Sequence, residues 1–204
     1  MPLQGYILGC KKQNMQNLRK IVIIGPESTG KSSLCKLLAE HYNTEWCPEF
    51  ARDYLLYHGK NYKYADLEII AKGQIELEEK FASIVQKTPQ NFADNQTEKK
   101  LLFIDTDMYV MKVWCEYVFG KCHQFILDEI VTRKYDLYLL CNTDLPWKQD
   151  ELREYPEEQP RQELFNIYKD ILINQNVPWA QINGDYAARL QTAIETINET
   201  FGID

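Results

Sequence analysis

The 204-residue chain lacks a long apolar run, an excess of positive charge and closely paired cysteines. No hydrophobic stretch approaches the roughly 20 residues that a membrane-spanning helix needs, which argues against a membrane protein. A net charge of −7 argues against a general nucleic-acid binder, because such proteins are usually basic. Six cysteines form no C-x-x-C pair and no zinc spacing, and no secretory signal precedes them. They therefore predict reduced thiols in a cytoplasmic protein.

The sequence also lacks linkers, repeats and low-complexity blocks between Lys20 and Phe201. This continuity favours one domain that is long enough to bury a sizeable core. Residues 1–14 differ in composition and do not have the apolar segment and cleavage site of a signal peptide. We therefore predict a poorly structured leader over residues 1–14 and a single domain over residues 15–204.

One motif stands out in what the chain does contain. Gly25-Pro26-Glu27-Ser28-Thr29-Gly30-Lys31-Ser32 fits G-x-x-x-x-G-K-[ST], the pattern of a phosphate-binding P-loop. An apolar, β-branched run over residues 20–24 precedes it, and apolar residues at helical spacing follow it over residues 34–41. Strand, glycine loop and helix form the context that the motif requires. We therefore interpret it as a P-loop rather than a chance match in a glycine turn.

Each residue type in this loop has a physical role. Glycines let backbone N–H groups turn toward an anion, and the positive end of the following helix dipole points to the same place. Lys31 is expected to reach the β- and γ-phosphates, and the Ser32 hydroxyl to ligate Mg²⁺. ATP and Mg²⁺ are thus the predicted cofactors. The predicted nucleotide contacts are Gly25, Glu27, Ser28, Thr29, Gly30, Lys31, Ser32 and Ser33.

Strand-like and helix-like segments alternate along the rest of the chain. Predicted strands cover residues 20–24, 44–47, 100–105, 135–141 and 179–182, and the main predicted helices cover residues 64–85, 127–134, 163–174 and 186–201, with another that ends at Gly120. Apolar strands that alternate with helices are typical of a parallel sheet with helices on both faces. We predict an α/β fold, a single P-loop NTPase domain with a five-stranded, mainly parallel sheet and a short lid. Ligands of such folds bind at the carboxyl ends of the strands.

Acidic residues follow two of these strands. Asp105 ends the third strand beside the P-loop, where a carboxylate can hold Mg²⁺ directly or through water. Asp105 and Asp107 could equally cap the next helix, and the P-loop favours a functional role for at least one of them. Glu49 follows the second strand, where it could accept a proton from a substrate hydroxyl or bind ribose hydroxyls. Arg52 would share its helical face, and spacing alone fits a surface ion pair equally well.

A polar, proline-containing segment over residues 150–161 is typical of a mobile lid. Its arginines, Arg153 and Arg161, could clamp a transferring phosphoryl group, although two ordinary arginines of a solvated loop are the alternative. Trp147, just before this segment, could belong to the core or stack on a flat ligand ring. A cationic ring would add a cation–π attraction there.

Together these segments resemble the ribosylnicotinamide kinase domain of NadR-type NAD-salvage proteins over nearly the whole chain from residue 15. The resemblance rests on the P-loop, Glu49-Phe50-Ala51-Arg52-Asp53-Tyr54, Phe103-Ile104-Asp105-Thr106-Asp107, Tyr135-Asp136-Leu137, Pro146-Trp147 and the spacing of Arg153 and Arg161. The E-x-A-R and F-I-D-T-D segments in this order are much more specific than the P-loop alone.

The resemblance implies transfer of the ATP γ-phosphate to the 5′-hydroxyl of nicotinamide riboside, giving nicotinamide mononucleotide. It implies that Lys31 and Ser32 bind ATP–Mg²⁺ and that Asp105 lies near the metal. It implies that Arg153 and Arg161 act from the lid. It further implies that Glu49, Arg52 and Asp107 face the riboside, and that Trp147 covers the nicotinamide ring. Glu49 is the preferred base and Asp107 the second choice.

Three further expectations concern activities and partners. NadR-type relatives carry an adenylyltransferase domain ahead of the kinase and often a DNA-binding segment; the chain has room for neither, so we expect neither activity. The expected partner is a small-molecule nucleoside, without nucleic acid or membrane, and the oligomeric state is left open. The alternatives are another nucleoside or metabolite kinase and a non-catalytic, ATP-binding regulatory P-loop module.

Overall fold

The computed structural model describes residues 17–89, 100–152 and 157–203. Its strands are β1 (Leu18–Ile24), β2 (Trp46–Cys47), β3 (Lys100–Asp105), β4 (Leu137–Cys141) and β5 (Trp179–Ile182). Its helices are α1 (Lys31–His41), α2 (Phe50–His58), α3 (Tyr64–Lys87), α4 (Met108–Phe119), α5 (Gln124–Thr132), α6 (Glu158–Ile173) and α7 (Tyr186–Phe201). The predicted leader over residues 1–14 lies outside the described residues.

The five strands form one sheet in the order β2–β3–β1–β4–β5, and all their pairings are parallel. The predicted sheet is confirmed, and it is wholly rather than mainly parallel. β1 lies at its centre, with Ile21 paired to Phe103 of β3 and to Leu137 of β4. Because the strands run in one direction, their carboxyl ends share one edge of the sheet, and the P-loop leaves from the middle of that edge.

Helices cover both faces because side chains alternate along each strand. Ile21 and Ile23 of β1 pack on the face covered by α1 and α7, together with Phe103 of β3. Val22 and Ile24 point to the opposite face, where α3, α4 and α6 lie. A third apolar cluster joins α2, α3, α4 and α5. This cluster anchors α2 and α4, which form a wall of the site described below.

Some boundaries differ from the predicted ones for identifiable reasons. β2 has only two residues, and Pro48 follows it, a residue that cannot donate a hydrogen bond to a sheet ladder. α6 begins at Glu158 instead of residue 163, and Pro160 lies in its first turn. Proline is tolerated there because the N–H groups of the first turn make no hydrogen bond within the helix. Within the described residues, no helix is both long and apolar enough to cross a membrane.

Candidate functional site

The P-loop turns through residues of positive φ. The φ angles of Gly25, Ser28 and Gly30 are 145°, 58° and 79°. A Cβ atom added to Gly25 would lie 2.7 Å from the carbonyl oxygen of Cys141, so only glycine fits this close approach to β4. Left-handed residues within a turn direct successive N–H groups to one side, which is the geometry of an anion-binding nest.

The start of α1 extends this nest. Gly30 is the N-cap of the helix, and no side chain caps it, so the first-turn N–H groups remain available to an anion. The Lys31 ammonium and the Thr29 hydroxyl both donate to the carbonyl of Pro26, at 2.8 and 2.7 Å. All eight predicted nucleotide-binding residues line one cavity of about 360 Å³.

Oxygen atoms at the end of β3 fit a magnesium ion. The Ser32 hydroxyl donates to Oδ2 of Asp105 at 2.5 Å. The second carboxylate oxygen, Oδ1, and the Thr106 hydroxyl are buried and have no hydrogen-bond partner among the described residues. Carboxylate, hydroxyl, phosphate and water oxygens are the ligands that Mg²⁺ prefers. The described residues hold no cluster of three or more His, Cys, Asp or Glu side chains, so an ion here would depend on nucleotide phosphates and water as well.

Thr106 separates the two acids that follow β3. Its φ of 80° is an outlier for a β-branched residue, a strained backbone that costs on the order of 1–3 kcal/mol. The Asp105 side chain reaches Ser32 of the P-loop, whereas the Asp107 side chain reaches Tyr138 of β4. The strained residue therefore gives neighbouring carboxylates different surroundings.

Asp107 lies at the N-cap of α4 and is only 1% exposed. Its Oδ1 accepts hydrogen bonds from the N–H groups of Tyr109 and Val110, and its Oδ2 accepts one from the Tyr138 hydroxyl at 2.8 Å. Burial raises the pKa of Asp107 to about 6, against the lowering effect of the Tyr138 hydrogen bond. Asp107 does not line the P-loop cavity. Its observed contacts are those of a helix cap.

Replacing Asp107 with alanine should therefore destabilise the fold. We expect the free energy of unfolding to fall by about 2–4 kcal/mol, because α4 loses its cap and the buried Tyr138 hydroxyl loses its acceptor. Asp107→Asn retains a capping oxygen and should cost less than about 1 kcal/mol. Urea denaturation of both variants measures the difference. Equal stability of Asp107→Ala and the wild type would contradict the capping role.

Glu49 lines the cavity at the N-cap of α2. Its carboxylate accepts no hydrogen bond from any of the described residues and does not cap the helix. Burial, reinforced by Asp105, raises the pKa of Glu49 to about 7, while Lys31 and Arg52 oppose the rise. A carboxylate with a free acceptor and a pKa near neutrality is suited to proton transfer.

Gln74 of α3, which the sequence analysis did not single out, holds this region in place. It is 1% exposed. Its Oε1 accepts from the N–H of Phe50 at 2.7 Å, and its Nε2 donates to the carbonyls of Pro48 and Asp105 at 3.3 and 3.5 Å. One amide thus fixes the turn that carries Glu49 relative to the end of β3. In the sequence, the available signal was a glutamine at a position that helical spacing assigns to the apolar face of the helix, seven residues after Leu67.

Arg52 also lines the cavity, but its guanidinium pairs with another part of the chain. Two of its nitrogens lie 3.2 and 3.0 Å from the carboxylate of Asp150. The same segment after β4 contacts the P-loop, since the Lys148 N–H donates to the Ser28 hydroxyl at 3.1 Å. The stretch from Lys148 to Asp150 therefore spans the cavity between the P-loop and α2.

The structure puts the predicted lid residues in other surroundings. Arg153 lies outside the described residues. Arg161 does not belong to an exposed lid, because it lies in the first turn of α6 and is 5% exposed. Its guanidinium lies 5.5 Å from the ring centroid of Trp147 and donates to the Thr143 carbonyl. Neither Arg161 nor Trp147 is among the residues that line the cavity.

The aromatic wall of the cavity comes from α4 instead. Val110, Val113, Trp114 and Tyr117 line it at helical spacing. The Trp114 indole donates to the Tyr62 hydroxyl at 2.9 Å, and the rings of these residues meet edge to face. Trp114 lies in the helix that was predicted from the sequence to end at Gly120. The position of α4 directly after the acidic strand end was the available signal that this face borders the site.

Residues 20–189 match AAA_28, a family described as an AAA domain. The chain belongs to the AAA_28 family. It is also homologous to the trifunctional NAD biosynthesis/regulator protein NadR of Escherichia coli (strain K12), with 30% identity over 193 residues, or 91% of this chain and 43% of the relative. The NadR protein of Salmonella typhimurium is 28% identical over the same shares. The resemblance to NadR-type proteins is confirmed, and the chain spans less than half the length of these relatives.

Solved structures show the same fold for this AAA_28 member. A NadR protein in complex with NR superposes with a TM-score of 0.72 at 19% identity, covering 93% of this chain and 51% of that one. Thymidylate kinase from Ehrlichia chaffeensis superposes with a TM-score of 0.60 at 14% identity, covering 89% and 99%. The chain therefore shares its fold with these two proteins.

Proposed function

We propose that the protein is an ATP-dependent kinase that phosphorylates the 5′-hydroxyl of nicotinamide riboside to give nicotinamide mononucleotide. The observation that carries the proposal is one cavity that joins a P-loop, an aromatic wall and Glu49, whose carboxylate accepts no hydrogen bond from the described residues. Homology to NadR, and the likeness to a NadR structure that contains NR, support nicotinamide riboside as the acceptor.

The P-loop end of the cavity would hold the triphosphate. The nest of N–H groups and the uncapped start of α1 supply donors for the phosphate oxygens, and Lys31 supplies a positive charge. Ser32 and Asp105 would hold Mg²⁺, which neutralises charge on the β- and γ-phosphates when it is bound. Arg161 and Arg153 remain predicted to act on the phosphoryl group. Arg161 would reach it only after leaving its buried position beside Trp147.

Glu49 is the proposed base. Its carboxylate faces the cavity and can accept the proton of a hydroxyl that attacks the γ-phosphate. Its pKa of about 7 leaves a large ionised fraction at neutral pH. Asp107 is less suited, because helix N–H groups and a tyrosine hydroxyl already use its oxygens. Arg52 would contact the riboside only if its pairing with Asp150 were exchanged for the substrate.

The pyridinium ring would lie against Trp114 and Tyr117 rather than against Trp147. A cationic ring is attracted to an aromatic face. The Trp147 ring already has the Arg161 guanidinium 5.5 Å from its centroid, and this positive charge would repel a second cation. Trp114 borders the cavity and has its indole N–H satisfied by Tyr62, so its orientation is fixed before a ligand arrives.

A coupled ADP-release assay with Mg-ATP tests the proposal. Nicotinamide riboside is compared with a panel of ordinary nucleosides and nucleoside monophosphates, and Lys31→Ala is the control. Turnover with nicotinamide riboside that is lost in the control supports the proposed reaction. Turnover with another acceptor would favour a different nucleoside or nucleotide kinase, for which the likeness to thymidylate kinase gives a structural precedent. ATP binding without acceptor-dependent ADP release would favour a regulatory module.

The aromatic wall gives a specific prediction. Trp114→Ala should raise KM for nicotinamide riboside about tenfold, because a cation–π contact and ring packing together contribute about 1–2 kcal/mol. Trp114→Phe should retain most of the affinity, and Trp147→Ala is the matched tryptophan control. Steady-state kinetics with varied riboside at saturating ATP measures the effect. A larger KM increase in Trp147→Ala than in Trp114→Ala would return the ring-binding role to Trp147.

A further inference from the structure

Arg189 lies in the first turn of α7 and is only 2% exposed. Its guanidinium donates to the carbonyl oxygens of Thr29, Gly184 and Asn142 at 2.8, 2.7 and 2.9 Å. It also pairs with the Asp144 carboxylate. These partners belong to the P-loop, to the turn after β5 and to the turn after β4. One buried side chain therefore joins separate loops at the carboxyl edge of the sheet.

The location of this charge is unfavourable without those partners. A cation near a helix N-terminus is repelled by the positive end of the helix dipole. Burial of a guanidinium is costly unless its donors are satisfied. Local helix formation therefore gives no reason for an arginine at residue 189. The contacts with the loops account for it.

The bond to Thr29 has a direct consequence for phosphate binding. The peptide between Thr29 and Gly30 is trans, because the described residues contain no cis peptide bond. In a trans peptide the carbonyl and the next N–H point in opposite directions. With the Thr29 carbonyl held by buried Arg189, the Gly30 N–H is directed away from α7 and toward the cavity that Gly30 lines.

Asp144 extends the connection. One of its oxygens pairs with Arg189, and the other accepts from the Gly184 N–H at 2.7 Å. The Arg189 side chain is also fixed by the same turn, because its Nε–H donates to the Gly184 carbonyl. The turn after β5 is thus held through both its N–H and its carbonyl, by groups that also hold the P-loop.

We propose that Arg189 is a positioning residue that fixes the peptide orientation of the P-loop and ties it to the turns after β4 and β5. It does not touch the reacting atoms; it orients the backbone donors that receive the phosphates. The inference rests on the proposed function, because it takes the ligand of the P-loop to be ATP.

The test compares Arg189→Gln with Arg133→Gln. Arg133 is a matched control, since it is also largely buried and ion-paired, with Glu78, Glu79 and Glu129, but it does not line the P-loop cavity. We expect the Kd for Mg-ATP, measured by calorimetry below both melting temperatures, to rise about tenfold or more in Arg189→Gln, because a misdirected donor loses on the order of one charge-assisted hydrogen bond. KM for the acceptor should change little. Arg133→Gln should lower the melting temperature and leave the Kd unchanged.

The outcomes separate this inference from the proposed function. Failure of the wild type to bind ATP would overturn both. Wild-type binding with an unchanged Kd in Arg189→Gln, or an equal loss in Arg133→Gln, would overturn the positioning role alone. If Arg189→Gln does not fold, Arg189→Lys takes its place, because lysine keeps the charge but lacks the planar fork that reaches several carbonyls. Wild-type affinity for ATP in Arg189→Lys would likewise overturn the role.

Discussion

Replacing Glu49 with glutamine is expected to lower kcat by about 10²–10⁴-fold, the usual contribution of a positioned general base. Glutamine has nearly the same shape but cannot take the proton of the attacking hydroxyl. The KM for ATP should stay close to the wild-type value, because Glu49 lies at the α2 side of the cavity. Steady-state kinetics with saturating acceptor measures the change.

The pH dependence identifies the group that acts. Only the ionised carboxylate is a base, so wild-type kcat/KM should increase as the pH rises through the Glu49 pKa of about 7, and it should be low at more acidic pH. Stability should show the opposite trend. Because the folded pKa lies above the usual value, the folded state binds more protons than the unfolded state, and the Glu49 contribution to stability falls as pH rises from about 4.5 to 7.

Asp107→Asn is the matched control for Glu49→Gln. It removes a buried carboxylate near the site but retains the capping oxygen of α4. We expect it to keep most of the wild-type kcat and the same pH profile. A large loss of kcat in Asp107→Asn, with little change in Glu49→Gln, would move the role of base to Asp107.

Replacing Asp105 with asparagine is expected to lower kcat on the order of 10²-fold and to raise the Mg²⁺ concentration needed for half-maximal rate. Asparagine can still accept the Ser32 hydrogen bond, so the P-loop contact survives. What is lost is the negative charge that attracts the ion. Rates measured over a Mg²⁺ titration report both effects.

Asp107→Asn again supplies the comparison, because both aspartates are buried at the same strand end. Only Asp105 contacts the P-loop. If Asp105→Asn and Asp107→Asn needed the same increase in Mg²⁺ concentration, the effect would not be specific to Asp105, and the proposed metal ligand would be contradicted. A wild-type Mg²⁺ dependence in Asp105→Asn would remove that residue from the metal site.

Much of the fold was predictable, because the evidence for it is local. The buried strands are apolar on both faces, and the helices between them show their own periodicity, so all five strands were placed within a few residues. The shared edge of a parallel sheet then implied that the P-loop, Asp105 and Glu49 would meet. The P-loop residues were predictable for a similar reason, since backbone geometry and helix start are both encoded within eight consecutive positions.

The rest depended on partners distant in sequence. Asp107 is paired with a tyrosine 31 positions away, and the Thr29 carbonyl with an arginine 160 positions away. Neither contact leaves a local pattern. Trp114 and Trp147 are both aromatic residues near strand ends, and only the packing of α4 and the approach of Arg161 distinguish them. The sequence also does not show in which direction the side chain of Asp107 points, because this depends on the strained backbone of Thr106 before it.

The strand order has a consequence for how such a protein can diversify. β1 divides the sheet, with β3 and β2 on one side and β4 and β5 on the other. The side chains of α2 and α4 that line the cavity precede Gly120, and residues of the segment after β4 and of α6 complete the lining. The turns that Arg189 ties to the P-loop follow Cys141. The proposed acceptor contacts of α2 and α4 can therefore change while the contacts of Arg189 with the P-loop and with the turns after β4 and β5 are kept.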